Sequence, residues 1–437
     1  MNERDSEIMN QTLSTCGYTE IQEMEHADLV ILNTCSIRAK AEQKVMSLLG
    51  ALRKIKAERP TMKICVAGCV AQQESEHLLQ RMPHIDLIIG TQHIYSIGQL
   101  LENLETSGKA IIKTGMEDSF TIPQFIPEAK RGSLAGANTP AFRKFVTIMQ
   151  GCNNYCSYCI VPYTRGREIS RNISDILNEV NALIDSGIKE ITLLGQNVNS
   201  YGQSNQTTGS EAPCSFPELL YRMAENPGLR RLRFTTSHPK DLSDELMRCF
   251  SNIEILCPQF HLPVQSGSDA ILKRMNRKYS IGDYLGKVEK LLTFKPDIAL
   301  TTDIIVGFPG ETDADFQATM DLLEKIRFHG SFSFKYSDRP GTSSSILPDK
   351  VAEEVKSQRL ALFQGCQDQI SLERNREFLG TVQTIMIENI HPGAFQGRTG
   401  TNHIVHIEED TASKPGDLLD ASIVHAGQHS LRGKTPI

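Results

Sequence analysis

The first 110 or so residues alternate short apolar runs with longer amphipathic stretches. Ala27 to Thr34, Lys63 to Ala67 and Ile85 to Gly90 are β-rich with few charges, as strands of a parallel sheet covered on both faces must be. Between them, Ala39 to Glu58 has a helical pattern. Such alternation predicts an open α/β sheet, which gathers ligands at the carboxyl ends of its strands. Cys35 follows the first run in "LNTCSIR" and Cys69 the second in "VAGCVAQ", so two thiols are expected at one edge of the sheet.

From about Thr121 to Pro140 the periodicity fades and Pro, Gly, Ala and Ser accumulate, the composition of a linker. A longer α/β series follows, with strands expected at Phe145 to Met149, Glu190 to Leu194, Arg231 to Thr236, Gln259 to Val264, Ala299 to Val306 and Ser331 to Tyr336. Ser280 with Asp283 three residues on caps a helix whose Ile281, Tyr284, Leu285, Val288, Leu291 and Leu292 share one face. Six β/α units predict a partial (β/α)6 barrel with its chemistry on the loops after the strands. A polar helical segment, Val351 to Phe378, then leads to short strands in "GTVQTIMIEN", "GRTGTNHIVHI" and "GDLLDASIVHA", the pattern of a small antiparallel β-barrel. The fold class is therefore α/β and multidomain. The expected division is 1–118 for the first sheet, 119–137 for the linker, 138–372 for the partial barrel and 373–437 for the small barrel.

Composition narrows the chemistry. The net charge of -6 gives no general attraction to nucleic acid, so such a partner would have to be met by a local basic stripe. No apolar run approaches the roughly 18 residues of a membrane span, and no charged-then-apolar leader opens the chain. The expected compartment is the cytoplasm, with no membrane partner. A reducing cytosol leaves the 11 cysteines free for metal binding or catalysis. Cys16, Cys65, Cys214, Cys249, Cys257 and Cys366, alone or within apolar runs, read as small hydrophobes.

The stretch "GCNNYCSYCI" is different, with Cys152, Cys156 and Cys159 spaced C-x3-C-x2-C directly after the first barrel strand. A cubane iron–sulfur cluster has four irons, and three thiolates leave one of them open. A structural zinc site is the other reading, but it needs four ligands, usually in two pairs. No second such pair accompanies this one.

"CNNYCSYC" at the end of a strand that opens a partial β/α barrel resembles the radical S-adenosylmethionine (SAM) superfamily. Within it, "NTCSIRAKAEQKV", "VAGCVAQ", "MQGCNNYCSYCIVPYTRGREISR", "LLGQNVNSYG", "FTTSHPKDL", "HLPVQSGSDAILKRMNRKY", "DIIVGFPGET" and "GRTGTN" resemble the methylthiotransferase family along essentially the whole chain. The resemblance implies an amino-terminal domain, a SAM barrel and a terminal TRAM domain, two 4Fe–4S clusters, and SAM as both radical source and methyl donor. It implies tRNA bearing an N6-prenylated adenosine as substrate, attacked at C2, and an electron donor such as flavodoxin or ferredoxin for a monomeric enzyme. C2 of adenine is unactivated carbon with no acidic proton, so a cofactor must supply the reactivity.

The same resemblance assigns residues. Cys152, Cys156 and Cys159 hold the cluster that binds SAM, and Cys35 and Cys69 belong to the auxiliary one. Tyr158 lies near the SAM adenine, Gly195 and Gln196 meet the SAM amino group, and Thr236, Ser237 and His238, which close the third strand, reach the ribose. Gln replaces the acidic residue many relatives carry at 196. Gln265 and Ser266 close the fourth strand. "GFPGET", Gly307 to Thr312, lacks the Lys and spacing of a phosphate-binding Walker loop and reads as a turn of the SAM site, with Thr312 capping the next helix. Arg165, Arg167 and Arg171, and Lys273, Arg274, Arg277 and Lys278, are the candidate RNA-facing runs. The tail from Glu377 carries four Lys or Arg against seven Asp or Glu, so its RNA contact must rest on shape and hydrogen bonds. His403, His406 and His425 are scattered there without ligand spacing.

One departure stands out. The family's auxiliary cluster takes a third cysteine from a turn after an opening strand, whereas this chain opens at "MNERDSEIMN", just past that point. The expectation is a native start upstream of Met1. Cys16, at a helix end closed by Gly17, and Cys65, inside a strand, are poor substitutes. Sister activities on threonylcarbamoyl-adenosine or on a ribosomal protein, and a non-catalytic iron–sulfur RNA-binding protein, are the alternatives.

Overall fold

The computed structural model describes residues 1–35, 39–117, 120–124, 142–203, 214–409 and 412–436. The "SIR" of the first cysteine motif and most of the expected linker lie outside them. Two compact units divide the chain: Met1–Pro127 with Gln150–Asn153 and Ile160–Ile169, and Glu128–Met149 with Asn154–Cys159 and Ser170–Ile437.

In the first unit, strands Leu29–Thr34, Lys63–Gly68, Leu87–Ile89 and Ile111–Lys113 pair in chain order, all parallel. Helices Ala39–Glu58, Cys69–Arg81 and Ile97–Ser107 provide the crossovers. Lys63–Gly68 shows why its run is apolar after the first residue. Ile64 and Val66 enter one core with Leu49, Leu52 and Leu78, while Cys65 and Ala67 enter another with Ile8, Leu101 and Leu104. Each fully buried aliphatic side chain contributes roughly 1.5–3 kcal/mol, so covering both faces is what makes so small a sheet stable. Gly17, at φ +88°, follows the helix Asn2–Thr15 as expected.

In the second unit, strands Arg143–Thr147, Glu190–Leu194, Arg231–Phe234, Gln259–His261, Ala299–Val306 and Gly330–Lys335 each precede a helix. Their hydrogen bonding forms two three-stranded parallel sheets rather than one continuous six-stranded wall. The break falls before Gln259–His261, which Pro258 and Pro263 flank, and proline has no N–H to offer a ladder. Cys257 N donating to Leu232 O (2.9 Å) and a packed group of Phe216, Phe234, Phe250 and Phe260 still join the halves. Helix Glu353–Arg376, which follows the sixth strand, is tied to the turn after the fifth, with the Arg359 guanidinium on Glu311 and Asp313, both at 2.7 Å.

The carboxyl-terminal strands Val382–His391, Ala394–Thr399, Ile404–Ile407, Leu418–Ala426 and Leu431–Lys434 close into a barrel around Ile385, Ile387, Phe395, Val405 and Ile423. It is not wholly antiparallel as expected, because Ile404–Ile407 and Leu431–Lys434 run parallel. Five strands in a closed ring cannot all alternate in direction, so one neighbouring pair has to be parallel.

This barrel sits in a charged socket at the starts of the parallel strands. Arg143, Glu190 and Arg231 open three adjacent strands in register. Arg143 reaches Glu388 at 3.0 Å, Arg231 donates to Arg398 O (2.7 Å) and Thr384 O (2.8 Å), and Arg233 donates to Thr399 O and Gly400 O, both at 2.9 Å. Glu190 lies 3.3 Å from Arg233 and neutralises part of this charge.

Candidate functional site

The cysteine loop follows the short strand Met149–Gln150 and crosses from one unit to the other. Gly151 turns it at φ +79°, where a Cβ would stand 2.0 Å from Arg167 O, so the position admits only glycine. Cys152, in the first unit, donates its amide to Gly166 O at 3.3 Å. Cys156 and Cys159, in the second, are joined by a turn in which Cys159 N donates to Cys156 O at 2.9 Å.

The turn after helix Asp269–Arg274 holds this second half of the loop. Ser157 N donates to Met275 O (3.0 Å), Ser157 Oγ to Arg274 O (2.9 Å) and Asn276 Nδ2 to Tyr155 O (2.8 Å). Asn276 and Lys278 both adopt left-handed φ, at +60° and +62°, which turns the intervening Arg277 inward. Arg277 is buried and donates to Cys156 Sγ (3.3 Å), Tyr158 OH (3.4 Å), Tyr279 OH (2.9 Å) and Pro263 O (2.7 Å). Tyr158 packs on Ile271, Met275, Phe308 and Tyr336, and burial pushes its phenol well above the usual range, which keeps it protonated.

The carboxyl ends of the parallel strands carry buried polar atoms with no hydrogen-bond partner among the described residues: Thr147 Oγ1, Asn197 Oδ1, Ser237 Oγ and His238 Nε2. Each such atom costs free energy unless a polar ligand answers it. Thr236 (φ +71°) and Gln265 (φ +77°) stand in the left-handed region just past their strands, strain of order 1–3 kcal/mol apiece. His238 Nδ1 accepts from Lys240 N at 3.1 Å, which leaves the ring proton on Nε2. Burial, then the charges of Arg277, Lys240 and Lys287, hold its pKa down to about 2. His238 is therefore a neutral N–H donor.

Gly195 is buried after Glu190–Leu194, and a Cβ there would lie 2.4 Å from Met149 Cγ; Gln196 beside it is half-buried. Ser266 differs from Ser237: its hydroxyl accepts from Ser268 N (3.2 Å) and meets Thr319 Oγ1 (3.4 Å), the bonds of a turn. In "GFPGET", Gly307 N donates to Glu311 Oε1 at 2.7 Å, so a carboxylate of the chain occupies the place an anion would take. Thr312 caps the next helix as expected, in a capping box with Asp315.

In the first unit Thr34 pairs with Gly68, so Cys35 and Cys69 each follow one member of an aligned pair at the sheet edge. Thr34, which no motif singled out, joins them: its hydroxyl donates to Ala67 O (2.6 Å) and accepts from Val70 N (3.1 Å), the first turn of the Cys69 helix. Arg165 is buried on Asp5 (2.5 Å), and its charge lies near the Cys69 thiol. Among the described residues no three His, Cys, Asp or Glu side chains gather closely enough for a single metal ion, so the fit of the cysteines to a cluster rests on the loop and on these arginine contacts.

The basic runs need correction. Arg165, Arg171 and Arg277 are buried counter-charges, and Arg274 is half-buried over Gly310. Arg167, Lys273 and Lys278 are exposed. A run of charges does not say which members answer buried carboxylates and thiols. His403 is packed on Phe378, whereas His406 and His425 are exposed.

Residues 1–90 match the family described as "Uncharacterized protein family UPF0004", and residues 146–323 match the radical SAM superfamily. The chain is 60% identical over 99% of its length to the tRNA-2-methylthio-N(6)-dimethylallyladenosine synthase of Desulfotalea psychrophila, covering 96% of that protein. It is 46% identical to the proteins of that name from Syntrophobacter fumaroxidans and Geobacter sulfurreducens, over 99% of its length and 93% and 95% of theirs. Among solved structures, the radical S-adenosylmethionine methyltransferase TsrM from Kitasatospora setae superposes with a TM-score of 0.54 at 15% identity, over 78% of this chain and 71% of that one, a likeness of fold. No helix among the described residues is long and apolar enough to cross a membrane. With near-full-length identity of this order, the chain belongs to the radical SAM methylthiotransferases, in the family of the tRNA-2-methylthio-N(6)-dimethylallyladenosine synthases.

Proposed function

We propose that this protein methylthiolates C2 of N6-(dimethylallyl)adenosine next to the anticodon of tRNA. The observation that carries the reading is the C-x3-C-x2-C loop after the first of six parallel β/α units, in a chain so similar to synthases of that name. Cys152, Cys156 and Cys159 would hold a 4Fe–4S cluster with SAM at its open iron, and Cys35 and Cys69 would belong to an auxiliary cluster. When bound, these groups supply radical chemistry at unactivated carbon, sulfur and a methyl group.

The chain's own residues bind and orient. Ser237 Oγ, His238 Nε2–H, Thr147 Oγ1 and Asn197 Oδ1 offer their unanswered polarity to SAM, beside Gln196 and Gly195, whose backbone packs tightly on Met149. Tyr158, held by packing and Arg277, supports the adenine. The partial (β/α)6 barrel (138–372) thus carries the site, and the amino-terminal domain (1–118), linker (119–137) and TRAM domain (373–437) make up the rest of the chain. A cytoplasmic monomer, reduced by a flavodoxin or ferredoxin, completes the reading.

Nucleoside analysis of tRNA from a deletion strain tests it. The expected result is loss of the methylthio group from the prenylated base alone, restored by this gene and not by its Cys156→Ala variant. An unchanged prenylated nucleoside together with loss from another base would assign a sister activity.

A further inference from the structure

We infer that Arg277 sets the reduction potential of the cluster held by the cysteine loop. The inference rests on the proposed reading that Cys156 is a cluster ligand. Hydrogen bonds and positive charge at the ligand sulfurs stabilise the more negative, reduced form of an iron–sulfur cluster. Arg277 brings both: a buried guanidinium with Nη1 3.3 Å from Cys156 Sγ, in a setting where little water screens it.

Three features separate this contact from chance packing. The side chain is fixed at its other nitrogens by Tyr279 OH and Pro263 O. The backbone on both sides, Asn276 and Lys278, is held in the left-handed region, a strained arrangement that a space-filling side chain would not need. And the same turn is tied to the cysteine loop through Ser157 and Asn276, so the guanidinium and the sulfur move as one piece. Lys could supply the charge but not this fork of fixed donors. In the step affected, one electron passes from an external one-electron donor to the oxidised cluster; the donor is oxidised by one electron and no proton or ligand is exchanged.

The test uses the full-length, iron-reconstituted chain carrying Cys35→Ala and Cys69→Ala, so that only one cluster remains. EPR-monitored redox titration of Arg277→Gln should show a potential more negative than the parent at equal iron content, with Arg277→Lys between them. SAM cleavage with dithionite should then fall several-fold and recover with titanium(III) citrate, a stronger reductant. An unchanged potential in Arg277→Gln overturns the inference. If that variant loses its iron, pulsed EPR of the parent with 15N-labelled arginine decides instead: a nitrogen coupled to the reduced cluster supports the contact, and none overturns it. A parent that binds no iron at all would instead refute the proposed function.

Discussion

Arg171 Nη1 donates to Glu179 Oε2 at 2.7 Å, and both side chains are almost wholly out of solvent. The same guanidinium nitrogen donates to Thr147 O at 2.8 Å, so the pair ties the end of the first parallel strand to helix Ile173–Asp185. Removing one partner strands the other charge in the core. Glu179→Ala should therefore cost about 3–5 kcal/mol, and Arg171→Met combined with Glu179→Leu distinctly less. Urea denaturation of the three proteins checks this, and equal losses would show that the cost is packing and not charge.

The exposed cations should behave in the opposite way. Lys273→Glu with Lys278→Glu should leave the thermal midpoint unchanged and weaken tRNA binding, lowering the slope of log affinity against log salt by about 0.7–0.9 for each phosphate no longer neutralised. Filter binding across a salt series reads this directly. An unaltered slope would place the RNA elsewhere.

Three buried histidines make stability depend on acid. Burial, first among the causes, holds His238 at about 2, His329 at about 3 and His403 at about 4. An unfolded histidine takes up its proton near pH 6.5, so below that pH the unfolded chain binds protons that the folded one refuses. Stability is therefore complete above about pH 6.5 and falls on acidification, by up to about 1.4 kcal/mol per pH unit for each such histidine. Melting curves from pH 7.5 to 5 should show this slope, and His403→Gln should flatten it. A slope untouched by that change would mean the histidine is already protonated in the fold.

Gly195 should tolerate no side chain. An alanine Cβ 2.4 Å from Met149 Cγ forces the core apart, so Gly195→Ala should lose about 1–3 kcal/mol. SAM affinity, by calorimetry under anaerobic conditions, should fall with it. Wild-type affinity would remove Gly195 from the site.

Regular elements were legible where one physical signal dominated. Ala39–Glu58, Glu190–Leu194 and Ala299–Val306 lie at the expected positions, because long helical periodicity and short runs rich in Ile, Val, Leu and Thr have no strong competing explanation. Ile111–Lys113 was missed, being three residues long and paired only at the sheet edge. Arg231–Phe234 and Gln259–His261 end before the apolar run does, since Thr236 and Gln265 are wrenched into left-handed backbone at the site. The cysteines announced themselves by spacing. Thr34 and the inward turn of Arg277 gave no such sign, because a capping hydroxyl and a buried cation look in sequence like any surface polar residue.

The arginine socket under the small barrel has a mechanical meaning. Because Arg231 and Arg233 are forked onto backbone carbonyls, and the one strand that carries both leads from that socket to the opposite edge where Ser237 and His238 lie, the small barrel has no free pivot within its unit. The small barrel therefore stands at a set distance from the edge that carries Ser237 and His238.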